Sequence, residues 1–446
     1  MNLLLWKQFL SNRAAVVAAV LLLGLGVLSL AFGKQYLHQK EKANEQVLAL
    51  QGQQLEHHLG THEETSLLLY YLKFKLARVV EPLSALSIGQ GDVVPHVKFM
   101  TLRGYENQKY DTDFINPTHL QSGNFDLSFL ILYLFPLVVI AWMYNLISEE
   151  QEQNRWKLIR AQGLTPWGFV LRAGSVRLLF CLGLLVLLLG VAVVWIQIPL
   201  NRAFGLLVGL SILYLLFWFA LCVAVIAFQR RSHFNLMSLL SLWLVLLILI
   251  PTGINSYVQQ QVEIPESFTG MIKQRDGYHT QWDTSKKEAV EQFYGAYPQL
   301  KSYGIPPEEG FNWIWYYAIQ HLGDLNTRNE SEGIHQKITH RAQMSRRLGR
   351  FFPPLYTQLE FNALAQTDIE SHLEFQEAGA RFHEDLRLHF YPFIFENKSF
   401  SPELQWTNFN QVLESPSSPK GWRLFGSMGL WVLVLGGFSY FRLKFT

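Results

Sequence analysis

Apolar residues in this chain fall in long unbroken runs, not in the 3.6- or 2-residue alternation of a water-soluble core. Six runs stand out: Ala14 to Gly33, Leu127 to Ile147, Leu178 to Ile198, Ala203 to Phe228, Leu236 to Ile254 and Leu424 to Phe441. Each approaches the ~20 residues that a helix needs to cross the hydrocarbon of a bilayer. Hydrocarbon offers backbone N–H and C=O groups no water, so such runs are read as helices. The first run exceeds the roughly 7–15 apolar residues of a signal peptide, and five more follow. It reads as a retained span.

The polar sequence is shared unevenly between the runs. Residues 1–13 mix Leu, Trp and Phe with Lys7 and Arg13, which suits a short helix lying in the membrane interface. Residues 34–124 and 255–420 are long enough to form two external lobes. In the first, residues 35–65 read as a helix continuing out of the membrane. Residues 66–80 read as a second helix, ended by Pro82, and the remainder as loop with a short strand. In the second, amphipathic helices are predicted over 286–297, 311–322, 333–348, 353–365 and 368–390. Thr367 and Glu370 form a capping box for the last of these.

The pattern thus predicts an all-α polytopic membrane protein with six transmembrane helices. Its parts are an interfacial helix and first span (1–33), an external lobe (34–124), spans two to five (125–254), a larger external lobe (255–420), and a sixth span with its tail (421–446). Between spans two and three lies a charged elbow, residues 148–177. It opens with SEEQEQNRWKLIR, turns at Gly163 to Pro166 and closes with an amphipathic piece from Trp167 to Arg177. Glu149, Glu150 and Glu152 lead into Trp156, Leu158 and Ile159, charged edges around an apolar face of the kind a docking helix presents.

Composition sharpens this reading. Half of the 446 residues are hydrophobic and 16% are charged, against about 25% charged in a soluble domain. A net charge of +2 does not point to nucleic acid. Both cysteines, Cys181 and Cys222, fall inside apolar runs, so the lobes are expected to hold together by packing. Lys7, Arg13, Arg155, Lys157, Arg160, Arg172, Arg230, Arg231, Arg442 and Lys444 fall on one side of a six-span layout, and the short opposite turn carries only Arg202. The positive-inside rule then places both termini and the elbow in the cytoplasm, and the lobes outside. For a bacterium, this is the inner membrane with periplasmic lobes.

The central portions of the spans carry no ionisable residue, which argues against an ion-coupled carrier. No internal repeat is visible. The chain lacks the phosphate-cradling G-x-x-x-x-G-K-[ST] loop, so any nucleotide energy must come from a partner. His383-Glu-Asp-Leu-Arg-Leu-His389 fails as a zinc-protease motif, because its histidines do not stand one helical turn apart. His57, His58 and His62 read as solvated helix histidines, and no metal or catalytic set is assigned. Gln90, Asp92, Asn116 and Asp126 put polar groups near the membrane surface, as candidates to line a substrate path or as turn chemistry. The aromatic segment 311–318 reads as lobe core or interfacial belt.

The order of elements resembles permease subunits of the type-2 class of ABC transporters. The family elbow reads approximately E-x-E-x-G-T-L-x-L-L-L-x-x-P. Here Glu150, Glu152, Trp156, Leu158 and Ile159 match, while Asn154-Arg155 replace the Gly-Thr pair and Gly163 the Pro. Segments at 82–92, Asn116-Pro117, 123–129, Pro136-Leu137, Thr367-Asp368 with His372 and Phe375, and Phe390-Tyr-Pro392 resemble a bacterial branch with two external lobes. That branch is related to the permease of the nitrous-oxide-reductase copper-maturation system. The resemblance implies a non-enzymatic permease with no cofactor of its own. ATP-Mg would sit on cytoplasmic ATPase subunits docked at Glu149, Glu150, Glu152, Arg155, Trp156, Leu158, Ile159 and Trp167. It also implies a second permease copy or paralogue, and export across the inner membrane. The alternative is mechanotransmission, in which the lobes act on a periplasmic or envelope protein.

Overall fold

The computed structural model describes residues 2–62, 64–109, 124–265, 285–396, 398, 411–413 and 421–444. Helix α1 (Asn2–Ser11) lays Trp6 and Phe9 against Phe180. Asn12 then caps α2 (Arg13–Thr61), its Oδ1 accepting from the amides of Ala14 and Ala15. α2 is one helix of 49 residues, apolar first and polar afterwards. The first apolar run and the polar helix predicted after it are therefore a single rod.

Next come α3 (Thr65–Tyr71), β1 (Phe74–Arg78), β2 (Val97–Met100) and α4 (Tyr105–Lys109). The helix expected over 66–80 stops at Tyr71. Phe74–Arg78 is instead the middle strand of a sheet ordered β2-β1-β3, antiparallel to β2 and parallel to β3 (Gln411–Leu413). Pairing with two partners distant in sequence overrides the local helical pattern.

α5 (Leu127–Glu152), α7 (Pro166–Ile196), α8 (Arg202–Ile226) and α9 (Ser232–Gln261) join α2 as five helices long and apolar enough to cross a membrane. The protein is thus mainly helical and membrane-embedded. Short α6 (Trp156–Ala161) lies between α5 and α7. The piece Trp167–Arg177, expected to close the elbow, is instead the first part of α7. Thr165 Oγ1 accepts from the Gly168 amide at 3.1 Å, and Pro166 sits in the first helical turn, so the helix starts there. No break follows at Arg177, whose guanidinium donates to the Ala173 carbonyl and stacks over Phe9. The elbow is therefore residues 148–165.

Both α5 and α9 contain a π-turn, at Leu130–Leu134 and Val245–Leu249, and in each a proline follows within two residues, Pro136 and Pro251. Proline lacks an N–H, and the wider turn accommodates the gap in the ladder.

α10 (Lys286–Ala296), α11 (Trp313–Gly349), α12 (Pro353–Leu364) and α13 (Ile369–Phe395) form most of the polar body. The helices predicted at 311–322 and 333–348 are one helix, α11, since no proline interrupts the polar stretch between them. Asp368, not Thr367, caps α13: its Oδ1 accepts from the Ser371 amide at 3.2 Å, while the Thr367 hydroxyl donates to the Ser87 carbonyl. The segments predicted as two lobes share one core. Leu69, Phe74, Leu76 and Met100 pack with Phe293, Tyr317, Phe382 and Phe390.

The body is seated in the bundle by α12. Tyr356, Phe361 and Leu364 belong to the same buried cluster as the apolar helices. α12 packs on α8, on the last helix α14 (Gly426–Lys444) and on the π-turns of α5 and α9. α14, which covers most of the predicted sixth span, lies along α8. Cys181 and Cys222 are buried free thiols in α7 and α8.

Candidate functional site

The elbow is built from two short helical turns. Ser148–Glu152 ends at Asn154, whose φ of 56° lies in the left-handed region. Asparagine is the residue after glycine that tolerates this conformation best, so Asn154 fills a glycine-like position. Arg155 then closes a loop onto Glu150 with two side-chain hydrogen bonds of 2.7 and 3.0 Å, and its amide donates to the Glu150 carbonyl at 2.9 Å. Gly163, at φ 78°, turns the chain into Thr165 and α7.

The three acids predicted as docking edges are engaged within the chain. Glu149 accepts from Asn145 at 2.6 Å and Gln153 at 3.2 Å. Glu150 holds Arg155. Glu152 reaches the turn before α9, where its carboxylate accepts from the Ser232 amide at 2.8 Å and the Ser232 hydroxyl at 3.0 Å. Ser148 and Ser232 share a hydroxyl contact of 2.8 Å, and Asn235 Nδ2 donates to the Tyr144 carbonyl at 3.1 Å. The elbow is therefore tied to the start of α9. Sequence reasoning missed Ser232 and Asn235; the one signal was a Ser placed to open a helix after Arg230-Arg231.

What α6 presents outward is apolar and basic. No residue of α6 is buried. Leu158 is 67% exposed, and Arg155, Lys157 and Arg160 beside it are exposed as well. Trp156 is half-buried against Phe169, with ring centroids 5.6 Å apart, and Ile159 is half-buried. Trp167 is half-buried too and stacks edge-on against Tyr440 of α14. Trp156 and Trp167 thus anchor the elbow, and Leu158 is its outward apolar residue.

Of the second predicted set, Gln90, Asp92 and Asp126 are among the described residues. Asp126 is buried and acts as a bracket: its carboxylate accepts from the amides of Ile88 (2.7 Å) and Phe129 (2.8 Å) and from the Ser128 hydroxyl (3.0 Å). This caps α5 and clamps the turn at 86–91 above it. The Gln90 side chain is exposed, and its amide donates to the Thr367 carbonyl. Asp92 is half-buried beside it. Asn116 lies outside the described residues. Gly89, at φ 51°, is packed against Asn362 and Thr367, where a Cβ would lie 2.7 Å from the Thr367 hydroxyl. The turn joins α5 to the α12–α13 corner.

His58 and His62 stack with Tyr71. His383 is buried, and its Nε2–H donates to the carbonyls of Arg103 (2.8 Å) and Thr101 (3.0 Å). Beside it Arg387 pairs with Asp324 at 2.6 Å.

Fold and site together define a mainly helical, membrane-embedded chain whose polar body is keyed into its apolar bundle. Residues 268–411 match the family model described as "Domain of unknown function (DUF3526)". Comparison with curated proteins returned no match, and comparison with solved structures returned none.

Proposed function

We propose that this chain is the membrane-spanning permease subunit of a bacterial ABC transporter of the type-2 class. It couples ATP hydrolysis by a separate cytoplasmic subunit to export across the inner membrane. The observation that carries this reading is the elbow. A short helix with an exposed Leu158 and flanking cations is held between two long apolar helices by Glu150–Arg155 and Glu152–Ser232. An apolar centre with a charged rim is how docking surfaces are composed. In this reading α14 is the sixth span, both termini are cytoplasmic, the polar body is periplasmic, and a second copy or paralogue completes the membrane unit. ATP-Mg belongs to the partner.

A second reading, mechanotransmission to an envelope protein, is favoured by α12. A helix of the polar body touches the π-turns of both α5 and α9, the two helices that the elbow ties together at their other ends. Relative motion of those helices would be delivered to the body.

The test is co-purification of the tagged chain from native membranes, followed by ATPase assay. The expected result is an ATPase partner that is lost on Leu158→Asp, with thermal stability of the chain unchanged. Recovery of the wild-type chain without an ATPase, or an L158D chain that keeps it, overturns the proposal. Solute flux in proteoliposomes with the partner supports export, and nucleotide-driven change in the body without flux supports the second reading.

A further inference from the structure

A cleft of about 600 Å³ opens in the polar body between α3 and the start of α11. It lies beyond the polar end of α2. The stretch from Gly33 to Thr61 is continuous helix, and at 1.5 Å per residue it carries the chain roughly 40 Å from the last apolar turn. The walls are aromatic: Tyr70, Tyr71, Phe311, Trp313 and Tyr316. Tyr316 and its neighbour Tyr317 are buried, as expected of core. Phe311 is 60% exposed and Tyr71 45% exposed, so core packing does not account for them. The rings hold one another edge-on, Phe311 against Trp313 at 4.9 Å and Tyr70 against Tyr71 at 4.8 Å, which fixes their faces before any partner arrives.

Charge decides what such a cleft attracts. Glu64 stands in the wall, its Oε1 accepting from the Trp313 indole N–H at 2.9 Å. Exposed Glu309 precedes Phe311 by two residues. Ring faces carry negative electrostatic potential and attract Arg and Lys side chains. The protein already uses this chemistry here, because the Arg103 guanidinium lies over Tyr70, 5.3 Å from the ring centroid. Tyr and Trp, with Arg, are also the residues that concentrate binding energy at protein interfaces.

The geometry points to this cleft as a docking site for a basic peptide segment of a partner protein, with an Arg or Lys side chain received between Glu64 and the Phe311–Trp313 rings. The inference deepens the second reading above and rests on it for the partner's being an envelope protein. The experiment involves no ATPase, so its failure and the failure of the coupling test are separate results.

The experiment is calorimetric titration of the full chain in lipid nanodiscs with the peptide acetyl-Gly-Leu-Arg-Leu-Gly-amide. The same peptide with citrulline in place of Arg keeps the shape and removes the charge. The variants are Glu64→Gln, which keeps an acceptor for Trp313, and Phe311→Ala, which removes an exposed ring. The expected result is saturable binding, weakened about fivefold or more by citrulline, by E64Q and by F311A, with unfolding temperatures unchanged. Absence of binding up to roughly 5 mM peptide, equal binding of the citrulline peptide, or binding that survives both substitutions overturns the proposal. So does free arginine amide or a neutral chito-oligosaccharide binding as tightly as the peptide, since either would make the cleft a small-cation or glycan site.

Discussion

The Tyr214 hydroxyl donates to the Leu132 carbonyl at 2.8 Å. Leu132 lies four residues before Pro136, so its carbonyl has lost the backbone donor that a regular helix would supply. A side chain of α8 thus repairs the break in α5, and Trp243 of α9 donates to the neighbouring Tyr133 carbonyl at 3.1 Å. Three apolar helices are fastened at one irregular turn, and α12 of the polar body packs on that turn. Hydrogen bonds between helices inside a bilayer contribute about 1 kcal/mol. Tyr214→Phe should therefore destabilise the chain by about 1 kcal/mol in a detergent unfolding titration. Pro136→Ala restores the missing N–H and should make the Tyr214→Phe cost smaller. Equal costs of Tyr214→Phe in the two backgrounds would show that the hydroxyl does not serve the proline break.

Glu152 links the elbow to α9 without contributing to any buried core. Its carboxylate caps the first amide of α9, and helix-opening amides have no partner within the helix. Glu152→Ala should leave the thermal unfolding of the chain nearly unchanged. Amide hydrogen exchange at Ser232 should become markedly faster, while the amides around Glu150 and Arg155 keep their rates. If Ser232 exchanges no faster in the variant, the carboxylate is not what fastens the elbow to α9.

Much of this architecture is legible in the residue order. An apolar run of bilayer length means a helix whatever surrounds it, which is why α2, α5, α7, α8 and α9 all fall on predicted runs. The elbow's place is legible for the same reason, as the charged interruption between two such runs. The roles of its acids are not. Glu149, Glu150 and Glu152 look alike in sequence, and only the fold shows that one holds Arg155 and another Ser232. Phe74–Arg78 reads as helix because its strand partners lie far along the chain. PPLYTQLEFNAL reads as an ordinary amphipathic helix, since nothing local says that Tyr356 and Phe361 face the apolar bundle. Asp126 sits where a path-lining acid was expected, and its oxygens are taken up by backbone amides that no spacing rule connects to it.

The polar body buries histidines in surroundings that favour their neutral form. Burial, with Arg387 adding to it, pushes His383 down from the usual 6.5 to about 3, although Asp324 and the two carbonyl acceptors oppose the shift. Burial likewise lowers His321 and His372 to about 4. In the unfolded chain each takes up a proton near pH 6.5, so below that pH the unfolded state binds more protons than the folded one. Stability of the body is therefore full above pH 6.5 and falls as pH drops towards 4. Hydrogen exchange of α13 amides, measured on the full chain from pH 7 to pH 4.5, should show this loss after correction for intrinsic rates. His383→Gln keeps an N–H donor for Arg103 and cannot titrate, so it should flatten the dependence. A slope unchanged by H383Q would assign the effect to other groups.

Arg346 joins three helices at the corner where the body meets the bundle. From α11 it reaches Asp368 at 3.2 Å, Glu360 of α12 at 3.8 Å, and Glu370 of α13. The side chain of Glu360 is almost fully buried, with the Arg346 guanidinium beside it. Removing the cation of a buried charge cluster costs roughly 3 kcal/mol. Arg346→Ala should therefore lower stability by roughly that amount and loosen α12 from α11. Glu370→Gln, which removes the most exposed of the three acids, should cost well under half as much, because solvent screens that pair. Arg346→Lys restores the charge but not the planar fork that meets three carboxylates at once, so only partial recovery is expected. Denaturant titration of the three variants in one detergent gives the order. Full rescue by lysine would mean that net charge alone holds the corner, and an Ala variant as stable as the parent would mean that α12 is held by its apolar face.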